Sequence, residues 1–202
     1  MQDKKLRRSN EERTLATRAK LIAAARALFV EKGYAETGTP EIVSKAAITR
    51  GALYHHFADK ADLLRAVVEQ EALDVSKSIE RDTSNPASAL DALVTGTESY
   101  FREMAVPGRV RLLLLDGPAV LGHLEMKRID QETGGEELRQ GLEYALPDLP
   151  ASGPSHEVFA DLLSATFDRA ALAIANGGSE AAYKSAIRHL LESLVKDVKD
   201  VA

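Results

Sequence analysis

Two short helical patterns lie between Thr37 and Lys60, in TGTPEIVSKAAITRGALYHHFADK, with too few residues between them for anything except a tight turn. Thr39 suits the cap of the first, with Pro40 at the first helical position, where its missing N–H costs nothing. Ile42, Val43 and Ala46 point inward from it, Ala47-Ile48 makes the turn, and Thr49 caps a second helix from Arg50 to about Phe57. That second helix is small at its start, aromatic at its end, and gathers Arg50, Tyr54, His55 and His56. A bracing helix joined this closely to a presented one is the build of a helix-turn-helix.

A net charge of −5 at first argues against a nucleic-acid partner, but the charge is unevenly spread. Residues 1–65 hold 13 Lys/Arg against 8 Asp/Glu, while the remainder holds 13 against 23. A basic head on an acidic body is the asymmetry expected when only one end meets phosphate. The absence of cysteine excludes a disulfide framework, thiol catalysis and Cys-ligated zinc. Few aromatic residues and almost no alternating apolar runs favour an all-α protein. The start, MQDKKLRRSNEER, lacks the apolar core of a signal peptide, and no apolar run reaches the ~18 residues of a membrane span. A soluble cytoplasmic protein is expected.

Helical spacing also organises the rest. Ser9 and Glu12 form a capping box for a helix over 10–32, whose stripe is Leu21, Ile22, Ala25, Leu28 and Phe29, stopped at Gly33. Asp59 caps a helix from Lys60 whose stripe, Leu64, Val67, Val68, Val75 and Ile79, fades near Asp82. Asn85-Pro86 is expected to open the next, ending near Met104. Arg109–Leu115 reads as a buried helix, though such a short apolar run does not by itself exclude a strand. A further pattern runs from Pro118 to about Tyr144, interrupted at Gly134-Gly135, before a proline-rich loop over Leu146–Pro154. Two closing helices, about 155–176 and 180–200, carry Leu162, Ala170, Ile174, Ile187, Leu190, Leu191 and Leu194. Their apolar surface is wider than one stripe, which fits either a monomeric core or a four-helix interface across a twofold axis. The division expected is residues 1–65, with 1–9 as a basic arm (Lys4, Lys5, Arg7, Arg8), and residues 66–202.

The stretch TRAKLIAAARALFVEKGY, followed by TGTPEIVSKAAITRGALYHHFADKADLL, resembles the DNA-binding domain of tetracycline-repressor-type (TetR family) regulators over residues 17–68. Three elements fall in that family's order and spacing: the A-L-F-x-E-x-G-Y helix end, R-G-A-L-Y-H-H-F, and K-x-x-L-L. The later LLLLDGPAVLG and the closing helices resemble its variable effector domain. The resemblance implies an all-α homodimer, a transcriptional repressor released from operator DNA by a small molecule. It also implies that Thr39, Tyr54, His55 and Lys60 meet phosphate and that Arg50, Gly51 and Ala52 lie near base edges, and Thr49, the cap of that helix, is counted with them among the DNA-binding residues. One departure stands out: Ala47 occupies a turn position where the family usually has glycine.

Physical chemistry weighs these roles separately. Arg50 can pair bidentately with guanine, or instead form a surface ion pair with Glu41. Leu53 and Phe57, four apart, belong to the core. His55 and His56 are adjacent, so their side chains diverge by ~100° on a helix and cannot chelate one metal together. Removing Tyr54 or Lys60 is expected to weaken DNA binding and leave the fold intact. In the second domain, Tyr100, Phe101, Met104, Leu112, Leu115, His123, Met126, Phe159, Leu163 and Phe167 are candidates for a pocket, with Tyr100, His123 and Asp168 as polar members. Such a lining suits a hydrophobic or amphipathic effector. No catalytic set, metal site or cofactor motif is legible, so an all-helical enzyme and an effector-independent DNA-binding protein stand as the alternatives.

Overall fold

Every element of the chain's computed structural model, which describes residues 10–133, 135–147, 149 and 153–201, is helical. The Ser9 cap, the basic arm, Gly134 and part of the proline-rich loop lie outside the described residues. Two compact units divide between Val68 and Glu69.

In the first unit, α1 (Asn10–Lys32) buries Leu21, Ala25, Leu28 and Phe29 and stops at Gly33, whose φ is 89°. Helix α2 (Thr39–Ala46) buries Ile42 and Ala46, and α3 (Arg50–His56) buries Leu53. The cap of α2 is Gly38, not Thr39, which lies inside the helix; no side chain caps this end. Thr49 does cap α3, its hydroxyl accepting from the Ala52 amide at 3.3 Å. The turn between them is closed by two backbone bonds, Ala47 N–H to Ser44 O (3.1 Å) and Ile48 N–H to Val43 O (3.0 Å). This pairing requires a left-handed residue just past the helix end. Ala47 takes that role at φ 53°, ψ 46°, the one non-glycine with positive φ among the described residues.

Helix α4 (Lys60–Asp82) begins at Asp59, whose carboxylate accepts from the Asp62 amide (2.8 Å), while Asp62 accepts from the Ala58 amide (3.0 Å). It is one helix through the division at Val68. In the second unit follow α5 (Ala89–Met104), α6 (Arg109–Arg111), a π-helical turn (Leu112–Asp116), α7 (Gly117–Leu121), α8 (His123–Thr133), α9 (Gly135–Ala145), α10 (His156–Ala175) and α11 (Glu180–Val201). Helix α5 is central, packing against α6, α9, α10 and α11.

Three expectations for this unit are corrected. Asn85-Pro86 does not open α5; Ser88 does, accepting from the Asp91 amide while Asp91 accepts from the Ala87 amide, a reciprocal cap that Asn85-Pro86 cannot match. The pattern from Pro118 is broken at Gly122, φ 84°, as well as near 134. Arg109–Leu115 is helical, but inverted: Arg109 is buried and Leu115 is 51% exposed.

A left-handed conformation costs an alanine roughly 1–2 kcal/mol that glycine avoids, partly offset by glycine's freer unfolded chain. Ala47→Gly is therefore expected to raise stability by about 0.5–1 kcal/mol in a denaturant titration.

Candidate nucleic-acid interface and effector cleft

Helix α3 divides its side chains cleanly. Leu53 and the following Phe57 are 0% and 1% exposed, while Arg50, Gly51, Tyr54 and His55 lie outward, Tyr54 at 45%. Those four positions share one face of a helix. The Arg50 guanidinium stands 5.6 Å from the Tyr54 ring centroid. The Thr39 hydroxyl, and then Arg50, hold the Tyr54 phenol below the usual tyrosine range. Glu41, the surface partner considered for Arg50, is paired with Lys32 at 2.7 Å. A Cβ added at Gly51 would meet nothing within 4 Å, so packing within the chain does not require glycine there. His56 is half-buried, and burial, then His55, then Arg18 push its imidazole down. Ala52 is half-buried beside it.

Lys60 is differently placed from the free phosphate ligand that the sequence suggests. Its ammonium donates to Tyr34 O (2.9 Å) and Thr37 O (3.0 Å) and lies 4.2 Å from the Tyr34 ring centroid. Thr37, 1% exposed, donates in turn to Gly33 O at 2.7 Å. Lys60 thus ties the α1–α2 connection to the start of α4, and the expectation that its removal leaves the fold intact gives way.

In the second unit an open cleft of about 490 Å³ is lined by Phe101, Met104, Ala105, Val106, Pro107, Gly108, Val110, Arg111, Leu115, Ala171, Leu172, Ile174, Ala175, Asn176 and Glu180. Phe101, Met104 and Leu115 of the candidate lining are there, and the other seven are not. Leu112 is fully buried in the core, and Met126 packs over Gly117, where a Cβ would come within 3.0 Å of its sulfur. His123 is exposed at the start of α8, and Phe159 and Leu163 are half-buried. Tyr100 and Phe167 form a separate cluster, rings 6.0 Å apart, in which the Tyr100 hydroxyl donates to Asp168 at 2.6 Å. Burial, then Asp168, raises the Tyr100 phenol; burial also raises Asp168. Asp130 retains accessible surface, yet burial, then Asp168, pushes its carboxyl up to about 6.

A charged network absent from the sequence reading joins α4, α5 and α6. Arg109, with a side chain 6% exposed, donates from Nε to Glu71 Oε2 (2.9 Å) and from Nη1 to Glu103 Oε2 (2.6 Å). Ser78 donates to Glu103 Oε1 (2.7 Å), and Arg102 reaches Ser78, Ser99 and Asp82. Glu71, Asp74, Ser78 and Asp82 recur at three- and four-residue steps, the same spacing as an apolar stripe, and that signal could have exposed them.

On the closing helices, Ala170, Ile187 and Leu191 are buried within the unit and have no surface to offer a partner. Ile174 and Leu194 are half-buried, while Leu162 and Leu190 are 60% and 52% exposed, with Val158 also outward. Among the described residues no helix is long and apolar enough to cross a membrane, and no group of three or more acidic or His side chains could hold a metal.

A small helical unit presenting a capped helix, followed by a larger all-helical unit, defines the class of two-part helix-turn-helix proteins. The chain belongs to the TetR family: residues 21–67 match the model of bacterial regulatory proteins of the tetR family, and residues 90–198 match the tetracyclin repressor-like C-terminal domain. Membership places it among bacterial regulatory proteins. It is 32% identical over 124 residues to the transposon Tn10 TetC protein of Escherichia coli, covering 60% of this chain and 61% of that one. It is 34% identical over 110 residues to the transcriptional regulator TtgR of Pseudomonas putida, covering 52% and 50%. The chain thus spans between half and two-thirds of these relatives. A crystal structure of a TetR-family regulator from Pectobacterium atrosepticum superposes with a TM-score of 0.71 at 29% identity, over 95% of this chain and 97% of that one.

Two outcomes follow for the side chains that the structure relocates. Lys60→Met removes two charge-assisted bonds and is expected to cost about 1.5–3 kcal/mol, read by denaturant unfolding and by faster amide exchange over residues 33–38. Asp130 has its carboxyl raised when folded, so its protonated form contributes stability that is full below about pH 4 and lost as the pH rises through about 6. Asp130→Asn should therefore raise the melting temperature at pH 7.5 and change it little at pH 4.

Proposed function

We propose that this chain is a ligand-responsive, DNA-binding transcriptional regulator, a repressor released from operator DNA by a small hydrophobic or amphipathic molecule. The observation that carries the reading is the outer face of α3. Arg50, Tyr54 and His55 are exposed together around a glycine that the fold does not need. Glycine inside a helix costs up to ~1 kcal/mol relative to alanine, and close approach of the α3 backbone to a DNA groove accounts for that cost.

In this reading Arg50 takes base edges, Gly51 and Ala52 allow approach, and Tyr54, Thr39 and His55 meet phosphate or sugar. Lys60 sets the position of the first turn of α4, and the amides of that turn ahead of Asp62, whose own amide Asp59 takes, meet a phosphate. A second copy of the chain packs against Leu162, Leu190 and Val158 on α10 and α11, which places two α3 helices on successive turns of one DNA face, ~34–36 Å apart. The cleft beside Phe101, Met104 and Leu115 receives the effector, and its volume lies within the ~300–1,000 Å³ usual for small-molecule sites. That cleft favours an effector-controlled protein over an effector-independent one. The chain acts where DNA is, in the cytoplasm.

The test uses a duplex selected by the protein from a random-sequence pool, titrated at ~0.15 M salt. Arg50→Ala and Tyr54→Phe are expected to weaken binding at least tenfold with unchanged thermal unfolding. Gly51→Ala should raise stability by a few tenths to about 1 kcal/mol and still weaken binding. A Gly51→Ala protein that is more stable and binds as tightly as before would remove the groove assignment.

A further inference from the structure

Where α1 meets the end of α3, two basic side chains stand together without an acid between them. Arg18 of α1 lays its guanidinium over the ring of Phe57, 4.5 Å from the centroid, and Phe57 is 1% exposed. Beside it lies His56, the last residue of α3, whose imidazole is pushed down by burial, by His55 and by Arg18. The His55 and His56 rings meet edge to face with their centroids 5.3 Å apart. Arg18 from α1 and His55 from α3 are the charged groups that act on His56; among the described residues α2 and α4 bring none. No carboxylate of the described residues pairs with Arg18 either. Other cations of this unit are answered within it: Lys32 by Glu41, Arg65 by Asp62, Lys60 by two carbonyls. Basic groups set side by side disfavour each other's charged form until an anion is brought to them.

We propose that Arg18 and His56 form a phosphate site at the junction of α1 and α3, and that a DNA phosphate enters it together with one proton. The proposal rests on the groove reading of α3 above, which already sets the neighbouring His55 on phosphate or sugar. His56 lies ~100° further round the helix, on the side of Arg18, so a DNA backbone that passes His55 reaches this pair next. A guanidinium stacked on a ring still offers its N–H edge to an oxygen acceptor. The phosphate supplies the counter-charge that the His56 imidazole lacks in the free protein. His56 therefore takes a proton from solvent as DNA binds, and the imidazolium donates to the phosphate beside Arg18. The sign follows from linkage: proton affinity is higher in the complex than in the free chain. This part of the DNA affinity is full at low pH and is lost as the pH rises through the value that His56 has in the complex.

The experiment titrates the full chain with the selected duplex across pH and salt. Affinity of the unaltered chain is expected to fall about three- to tenfold between pH 6 and pH 8. Calorimetry at pH 7 in two buffers of different ionisation heat should find an uptake of roughly half a proton. His56→Gln keeps a hydrogen-bond donor but cannot titrate, so its uptake should vanish and its pH profile flatten. Arg18→Met keeps an apolar stem over Phe57 and removes the charge. It should weaken binding about three- to tenfold and lower the slope of log affinity against log salt by about one, which a purely structural role would not do. If the unaltered chain selects and binds no duplex, the groove reading falls and this proposal with it. If the duplex binds without proton uptake, or if His56→Gln takes up as many protons as the unaltered chain, the site is overturned and the groove reading stands. An unchanged salt slope in Arg18→Met overturns it equally.

Discussion

Water is the natural solvent of a guanidinium, and Arg109 has given up nearly all of it. What replaces water is a fixed set of acceptors from two other helices, Glu71 on α4 and Glu103 on α5. Glu103 shows the balance on the acceptor side: burial pulls its carboxyl up, but the Ser78 hydroxyl and the Arg109 guanidinium hold it below the usual range. The geometry of α6 follows from satisfying this charge. With Arg109 inward, positions three and four residues on, Leu112 and Leu113, share the inner face and are buried. Leu115, six residues on, falls to the other side and becomes part of the cleft wall. The inversion that makes a charged residue core and a leucine surface runs across α6 and the π-helical turn that continues it, with Arg109 on the inner side and Leu115 on the outer.

The start of α4 uses a weaker version of the same device. Lys60 is paired with backbone carbonyls and a ring face, all uncharged, and remains half-buried. Neutral acceptors hold a cation less tightly than carboxylates do, so this joint is stiff enough to fix the α1–α2 connection without a second buried charge. Helix α4 therefore carries two polar anchors of different strength, one in each unit, along a single run of backbone hydrogen bonds.

What was legible in the sequence was whatever depends on spacing alone. The limits of α1, α3 and α4, the core role of Leu53 and Phe57, and the capping roles of Thr49 and Asp59 all follow from period and end chemistry, which act within a few residues. Ser88 was hidden because Asn85-Pro86 offered an equally good local signal; the reciprocal bond with Asp91 decided between them. The cleft was legible only in part. Phe101, Met104 and Leu115 line it, but Leu112 and Met126 are equally apolar and are consumed by the core, and hydrophobicity does not distinguish the two fates. Arg109 was invisible for a deeper reason. Its partners lie 38 and 6 residues away, so nothing local marks it as buried.

Two positions in the helix-turn-helix go against local preference, and they do so in opposite ways. Ala47 holds a left-handed conformation where glycine would relax, and Gly51 sits in a helix where alanine would fit without contact. The two costs are not equivalent. Alanine at a turn narrows the unfolded ensemble, which returns part of the strain as stability. Glycine at position 51 loses on both counts, since it adds freedom to the unfolded chain and fills no space in the folded one. A residue with no benefit inside the fold is best understood by what comes against it from outside. The absent Cβ lies on the face that Arg50, Tyr54 and His55 share, so the same face that carries the polar reach also carries the clearance.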